Sequence, residues 1–173
     1  MTEPLFTESD LAMKVSELGK KITEDYKDKQ LLCVSILKGS FIFMADLIRG
    51  IDNADLTTEF MVVSSYGTGT TSSGNVKIIL DLKVDIRGKH VLIVEDIIDT
   101  GLTIKHLMAV LGERKPASME VCSLLLRKST TAPSPIPKYV GFEITATDFV
   151  VGYGLDHDEK LRNLKYIVKK VDI

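Results

Sequence analysis

The carboxylates and hydroxyls between Glu95 and Thr103 are the side chains of this sequence best suited to chemistry. The apolar run HVLIVE, residues 90–95, is typical of a buried strand, and the acidic pair Glu95-Asp96 comes at its end. A carboxylate is costly to bury without a partner, and open α/β sheets bind ligands at the carboxyl ends of their strands. The pair could therefore accept hydrogen bonds from vicinal hydroxyls or hold Mg²⁺ through water.

The turn from Asp99 to Thr103 has the composition of a phosphate-binding turn. Gly101 lets the backbone approach a ligand closely, and the N–H groups of Leu102 and its neighbours lie at the positive end of the following helix. Thr100 and Thr103 add hydroxyl donors. A simple helix N-cap would explain Asp99 or Thr100 alone, but the whole run is more specific than that. It lacks the Lys of a Walker loop, which disfavours a P-loop nucleoside triphosphatase.

The segment VLIVEDIIDTGLT, residues 91–103, resembles the motif with which type I phosphoribosyltransferases bind 5-phosphoribosyl-1-pyrophosphate (PRPP). The resemblance implies that Glu95 and Asp96 contact the ribose hydroxyls and help to place Mg²⁺. It implies that residues 99–103 surround the 5′-phosphate. It also implies that Asp99 is the catalytic base, which takes the N7 proton of a purine while N9 attacks.

Two further segments resemble the hypoxanthine-guanine branch of that family. LKGSFIFMADL, residues 37–47, implies a non-proline cis peptide and pyrophosphate binding by Lys38 and Gly39. An ordinary strand-to-helix turn with an exposed Lys is the alternative. SSYGTGTTSSG, residues 64–74, implies a mobile loop that closes over the reaction centre, with Ser65 and Tyr66 as its matching pair. A disordered hairpin tip is the alternative there.

A third segment, FVVGYGLD at residues 149–156, also resembles that branch and continues without a gap to Arg162. The resemblance implies that Phe149 stacks on the purine and that the backbone of Val150 reads its edge. It implies that Asp156, beside the purine, binds a second Mg²⁺, and that Arg162 meets pyrophosphate. Taken alone, the segment would read as a core Phe in a strand followed by surface charges.

The family also uses a Lys to donate to the 6-oxo group of the purine, and the sequence offers two candidates for that place. Counting along the strand without a gap places Arg127 there, whereas matching the residue type places Lys128 there. We favour Lys128, because a flexible single donor suits one oxygen better than a guanidinium fork. Such a donor would select a 6-oxopurine over adenine, whose 6-amino group is itself a donor.

Alternating strands and helices predict an α/β fold with a mainly parallel central sheet flanked by helices. The resemblance implies a single type I phosphoribosyltransferase domain over 1–173, with a small hood formed by the N-terminal segment and residues ~128–173. We expect Ser9 to cap the first helix. The predicted helices cover 9–27, 41–48 and 102–111, and the predicted strands cover 31–37, 56–66, 76–82, 90–95, 119–126, 139–142, 149–151 and 164–169.

The composition of the chain narrows its partners. Its 173 residues are 45% hydrophobic and carry a net charge of −2, which argues against a nucleic-acid binder with a broad basic surface. The first ten residues do not form a signal peptide, and no uncharged stretch is apolar enough to cross a membrane. Cys33 and Cys122 lie in apolar runs, so we expect buried, reduced thiols and a cytoplasmic protein.

The resemblance covers residues 9–170 and implies a purine-salvage enzyme. Its reaction would be a Mg²⁺-dependent transfer of phosphoribosyl from PRPP to a 6-oxopurine, namely hypoxanthine or guanine, with xanthine left open. We expect a homodimer or homotetramer. Two alternatives stay open at this point: a phosphoribosyltransferase of another base, and an RNA-binding regulator on the same fold.

Overall fold

The structure is a computed structural model that describes residues 3–65, 76–128 and 132–170. These segments contain three helices and eight strands. The helices are α1 (Glu8–Asp25), α2 (Phe41–Arg49) and α3 (Leu102–Gly112), and the strands are β1 (Leu31–Leu37), β2 (Leu56–Ser65), β3 (Val76–Leu80), β4 (His90–Ile98), β5 (Ser118–Arg127), β6 (Tyr139–Ile144), β7 (Val150–Val151) and β8 (Val168–Lys169).

Six of the strands form one sheet in the order β3-β2-β1-β4-β5-β6. All neighbours in it run parallel except β2 and β3, which are antiparallel. The mainly parallel α/β sheet that the sequence predicts is therefore confirmed. The chain leaves β1 toward β2 on one side and leaves β4 toward β5 on the other, so the order reverses between β1 and β4. The carboxyl ends of these two strands flank the crevice where such sheets bind ligands.

Helices cover both faces of the sheet, which explains the continuous apolar runs of its central strands. Leu18 of α1 and Phe43 of α2 belong to the core on one face, and Ile104 and Leu107 of α3 belong to the core on the other. A strand buried on both faces needs an apolar residue at every position, whereas a half-exposed strand alternates. Four successive residues of β4, Val91–Val94, are accordingly fully buried.

Several predicted element ends differ from the observed ones, and two of these differences have a clear physical cause. Thr7, and not Ser9, caps α1: its hydroxyl accepts from the N–H of Asp10, whose carboxylate accepts from the N–H of Thr7. This reciprocal capping box explains why the helix begins one residue before Ser9. β4 continues past Glu95 to Ile98, because Ile97 and Ile98 still pair with the long strand β5.

The last part of the chain forms a small second sheet beside the first. β7 and β8 pair antiparallel, and β8 is shorter than the strand predicted over 164–169. A bridge between Phe6 and Ile167 joins the N-terminal segment to this region. Cys33 and Cys122 are buried and free, as predicted. In the segments that the structure describes, no helix has the length and apolar character needed to span a bilayer.

Candidate active site

The residues from Glu95 to Ile104 line one cavity of about 630 Å³ at the carboxyl end of β4. We call this segment the phosphate loop. It joins the last residues of β4 to the first turn of α3, so its backbone N–H groups lie at the positive end of that helix. The cavity brings Asp99, Thr100 and Thr103 together with the acidic pair, as the spacing of these residues predicts.

Gly101 gives the phosphate loop its shape. It precedes α3 with φ of 80°, in the left-handed region that favours glycine. A Cβ at this position would lie 2.9 Å from the carbonyl oxygen of Ser134 and 3.1 Å from its nitrogen. The backbone of Ser134 also donates to the carbonyl oxygen of Thr100 at 3.4 Å. The proline-rich segment around Ser134 therefore supports the loop from behind, at a distance that only glycine permits.

Glu95 is buried and Asp96 is partly buried, although both line a cavity. Burial raises the pKa of the Glu95 carboxyl well above its usual range, and the neighbouring charge of Asp96 raises it further. Burial also raises the pKa of Asp96, although the N–H of Ile97 donates to its carboxylate at 2.8 Å and the charge of Arg162 opposes the shift. Two adjacent carboxyls with little access to water are best stabilised by hydroxyl donors or a cation placed beside them.

The turn after β1 meets the phosphate loop at Gly39. A Cβ on Gly39 would collide with the carboxylate of Asp96, and a Cβ on Gly154 would collide with the carbonyl oxygen of Gly39. The peptide bond between Leu37 and Lys38 is cis, as the resemblance led us to expect. The turn at Gly39 thus contacts the end of β4 through the carboxylate of Asp96, and it contacts the segment around Gly154 through the backbone.

Four charged side chains face each other beside this turn. Arg162 pairs with Asp156 at 2.9 Å and with Glu159 at 3.3 Å, and Glu159 pairs with Lys38 at 2.9 Å. Arg162 also donates to the carbonyl oxygen of Gly154 at 2.8 Å. We call residues 156–162 the charged turn. It brings the two cations with a predicted role in binding pyrophosphate, Lys38 and Arg162, to a single carboxylate.

Phe149 stands beside the charged turn with its ring half exposed. Its side chain is 50% exposed, unlike those of Val150 and Val151, which are buried. The ring of His157 packs edge-on to it at 5.8 Å between centroids, and the ammonium of Lys170 lies 5.6 Å from its centroid. An aromatic ring in this position can accept a flat ligand on its open face.

Arg127 links the phosphate loop to the turn that leads into Phe149. Its Nε lies 3.6 Å from a carboxylate oxygen of Asp99, and its side chain is only 17% exposed. Its Nη1 donates to three carbonyl oxygens, those of Thr145 and Ala146 at 3.1 Å and that of Asp148 at 2.7 Å. The sequence offers this residue only as a candidate purine contact, and its bonds to the backbone could not be read from it.

Lys128, which we favour from the sequence as the purine donor, has a different environment. Its Nζ lies 2.7 Å from a carboxylate oxygen of Glu143, and both side chains are more than half exposed. Lys128 follows the last residue of β5 and its side chain pairs with β6, whereas the side chain of Arg127 reaches the turn before Phe149. In this arrangement Arg127, and not Lys128, contacts the turn that leads into Phe149.

Comparisons with known proteins identify the family to which the chain belongs. The sequence model of the family described as phosphoribosyl transferase domain matches residues 2–160. The hypoxanthine-guanine phosphoribosyltransferase of Dictyostelium discoideum is 51% identical over 169 residues, which cover 95% of this chain and 93% of that protein. The chain belongs to the phosphoribosyl transferase family. A phosphoribosyltransferase named for hypoxanthine, from Haemophilus influenzae, is 49% identical over 170 residues, 96% of this chain and 94% of that one.

Solved structures of other phosphoribosyltransferases have the same fold. A crystal structure of a hypoxanthine phosphoribosyltransferase from Staphylococcus aureus matches with a TM-score of 0.92 at 48% identity, over 98% of this chain and 91% of that one. A hypoxanthine-guanine phosphoribosyltransferase from Bacillus anthracis matches with a TM-score of 0.93 at 42% identity, over 99% of both chains. The type I phosphoribosyltransferase fold expected from the sequence is thereby confirmed.

The phosphoribosyltransferase site contains one charged residue to which the sequence reasoning assigned no role. In the sequence Glu159 is one of several charged residues between Asp156 and Arg162. In the structure its carboxylate contacts both Lys38 and Arg162. Its spacing of three from Asp156 and Arg162 was the available signal. The expected closing pair falls at the edge of what is described: Ser65 ends β2, and Tyr66 and residues 67–75 lie outside the described residues.

Proposed function

We propose that this phosphoribosyltransferase transfers phosphoribosyl from PRPP to hypoxanthine or guanine, giving IMP or GMP and pyrophosphate. The observation that carries the proposal is the phosphate loop at the switch point of the sheet, where an acidic pair and a left-handed Gly101 line one cavity. The curated relatives named for these bases support it, and they favour neither a transferase of another base nor an RNA-binding regulator. Xanthine is a third candidate base for the assay.

The phosphate loop would hold the phosphoribosyl group. The N–H groups from Thr100 to Thr103 and the two threonine hydroxyls surround the 5′-phosphate, and Glu95 and Asp96 accept from the ribose hydroxyls. Lys38, the backbone of Gly39 and Arg162 bind the pyrophosphate. As the bond to the anomeric carbon breaks, the pyrophosphate gains negative charge and the ribose ring becomes positive. The main electrostatic task in such a transfer is therefore to stabilise the negative charge on the leaving pyrophosphate.

Mg²⁺ fits this donor set. Among the described residues no group of three or more His, Cys, Asp or Glu side chains converges as a cage. Mg²⁺ is usually held by one or two carboxylates together with substrate oxygens and water, so Glu95 and Asp96 would hold one ion and Asp156 a second. When bound, the ion neutralises charge on the pyrophosphate.

The purine would stack on Phe149, with its edge read by the backbone at Val150. As N9 forms its bond to the anomeric carbon and the bond to pyrophosphate breaks, the N7 proton passes to the carboxylate of Asp99. The attack comes from the face opposite the leaving group and inverts the centre. The contacts of Lys128 and Arg127 favour Arg127 as the donor to the 6-oxo group, and Lys128 remains the rival.

The hood, the closing loop, the cellular compartment and the assembly also form part of the proposal. The N-terminal segment and the residues from about 128 onward form the hood over the sheet in a single domain, and Ser65 and Tyr66 belong to the loop that closes it. Two buried, free thiols support a reducing compartment, and we propose the cytoplasm. We propose a homodimer or homotetramer as the working assembly.

The test is a spectrophotometric assay of the purified chain with PRPP, Mg²⁺ and one base at a time. Hypoxanthine and guanine should be converted to their nucleotides, and the rate with adenine should be below about 1% of the rate with hypoxanthine. Omission of Mg²⁺ should abolish turnover. Efficient use of adenine, or tight RNA binding at physiological salt without turnover, would contradict the proposal.

A further inference from the structure

The carboxylate of Glu159 occupies the position of an anion between two cations. One oxygen lies 2.9 Å from the Nζ of Lys38, and the other lies 3.3 Å from a guanidinium nitrogen of Arg162. Lys38 and Glu159 are 121 residues apart in the chain, so the contact joins the turn after β1 to the charged turn. One carboxylate thus bridges the two cations that the proposed function gives to pyrophosphate.

We propose that Glu159 is a built-in competitor for the pyrophosphate subsite, which pyrophosphate or the pyrophosphate end of PRPP must displace in order to bind. The inference rests on the proposed function, because it takes Lys38 and Arg162 as the pyrophosphate ligands. It assigns to Glu159 the role of setting how tightly the pyrophosphate is held. Fast release of the product pyrophosphate would be the benefit of a carboxylate that returns to the two cations.

The backbone of the charged turn is shaped to present this carboxylate. Residues 157–160 close a tight turn through reciprocal backbone hydrogen bonds between His157 and Lys160, at 3.1 and 3.0 Å. Asp158 and Glu159 at its tip both have positive φ, 50° and 64°. Such angles are uncommon for residues other than glycine, and a tight two-residue turn of the I′ type has positive φ at both of its central residues. The turn places the side chain of Glu159 where its carboxylate contacts Lys38 and Arg162.

Further contacts fix the direction of the side chain. The N–H of Glu159 donates to the carboxylate of Asp156 at 2.9 Å, which ties the tip of the turn to its base. A glutamate side chain is ionised at neutral pH, so the carboxylate of Glu159 carries the negative charge that both cations contact. The carboxylate is about two-thirds exposed, and water therefore screens each pair. A contact of this strength can hold two cations and still be exchanged for a multiply charged ligand.

The experiment measures product inhibition by pyrophosphate in the forward reaction for Glu159→Gln, which keeps the shape of the side chain and removes its charge. The inhibition constant of pyrophosphate should fall about fivefold, because the phosphate no longer displaces a carboxylate, and the KM for PRPP should fall in the same direction. The difference from the unaltered chain should shrink in 0.5 M salt, where exposed pairs are screened.

The matched control is Asp158→Asn, which removes an equal charge one residue away. Asp158 contacts His157 at 3.4 Å and neither of the two cations, so its inhibition constant should change less than about twofold. If both variants changed the inhibition constant equally, the effect would come from the net charge of the turn and not from the contacts of Glu159, and the inference would be overturned. Weaker inhibition in Glu159→Gln would overturn it too, since Glu159 would then assist binding.

Lys38→Ala separates a failure of this inference from a failure of the proposed function. Loss of pyrophosphate inhibition in Lys38→Ala, with no change in Glu159→Gln, would overturn the competitor role and leave the assigned subsite intact. Unchanged inhibition in Lys38→Ala would show that Lys38 does not hold pyrophosphate, and the subsite assigned under the proposed function would fail.

Discussion

The phosphate loop and the charged turn face the same crevice, yet they prepare for their ligand in opposite ways. The phosphate loop offers backbone N–H groups shaped by Gly101, and the side chain of Asp99 is 61% exposed with Arg127 at 3.6 Å. In the charged turn, Asp156, Glu159 and Arg162 already form ion pairs. One side is therefore set to receive an anion directly, whereas the other must exchange partners. This difference suits the proposed function, in which the phosphate loop holds the phosphoribosyl group and the charged turn meets the pyrophosphate that leaves.

The largest effect that could test this division is Asp99→Asn on the phosphate loop side. If Asp99 accepts the purine proton, kcat should fall at least ~100-fold, while the KM for PRPP should stay within about threefold. Steady-state kinetics with hypoxanthine measures both. Asp85→Asn, on an exposed loop outside the cavity, is the control and should leave kcat unchanged. Normal turnover of Asp99→Asn would remove Asp99 from the mechanism.

Gly101→Ala tests whether the backbone is what shapes the phosphate loop. A Cβ with φ of 80° is strained, and this one would press on the backbone of Ser134. We expect a loss of about 1–2 kcal/mol of stability and a KM for PRPP at least ~10-fold higher. Urea unfolding and kinetics measure these.

Gly88→Ala is the matched control for that change. Gly88 has a similar φ of 75°, and a Cβ there would meet nothing within 4 Å. It should show the loss of stability from the backbone alone, of about 1 kcal/mol, with an unchanged KM. A KM that rises equally in both variants would mean that the contact with Ser134 is irrelevant to the loop.

Phe149→Ala tests the purine side of the crevice. Loss of a stacking surface should raise the KM for hypoxanthine about 10-fold, which is the usual scale of base–aromatic stacking, and leave the KM for PRPP within about twofold. Phe60→Ala removes a ring of comparable exposure, 42%, from β2 and should change neither constant. An unchanged base KM in Phe149→Ala would place the purine elsewhere.

The smallest expected effect is a stability change in Glu95→Gln. Because burial raises the pKa of Glu95 in the folded state above its usual 4.5, ionisation of Glu95 destabilises the fold as the pH rises above that value. Gln should therefore raise Tm by about 3 °C at pH 8, which corresponds to ~1 kcal/mol in a domain of this size, and by much less at pH 4.5. Calorimetry at both pH values checks it. The exposed Glu113→Gln should show no such dependence.

The elements that bury apolar surface could be predicted well from the sequence. HVLIVE and LLCVSIL are continuous because both faces of the central sheet are covered, and that pattern gives the strand type and its parallel pairing. The ends of elements depend on partners elsewhere. Ile97 and Ile98 extend β4 only because β5 is long enough to pair with them. The hydrophobic pattern of residues 90–98 contains no information about the length of that partner strand.

The candidate site divides along the same line. The phosphate loop is contiguous in the chain, so its composition reveals it. The pyrophosphate side joins Lys38 to residues more than a hundred positions later, and the choice of Glu159 as the shared carboxylate is a matter of geometry. The same limit applied to Arg127 and Lys128, which adjoin in sequence and differ only in what the fold places opposite each of them.

The close stacking of Gly39 against Gly154 on one side and Asp96 on the other has a mechanical consequence. Gly39 has no side chain that could move aside, so these close contacts leave little room to absorb a displacement. A shift of the Asp96 carboxylate would push on the turn at Gly39 and, through it, on the segment around Gly154. Under the proposed function these three parts contact the ribose, the pyrophosphate and the purine, so a misalignment of one fragment would be transmitted to the other two.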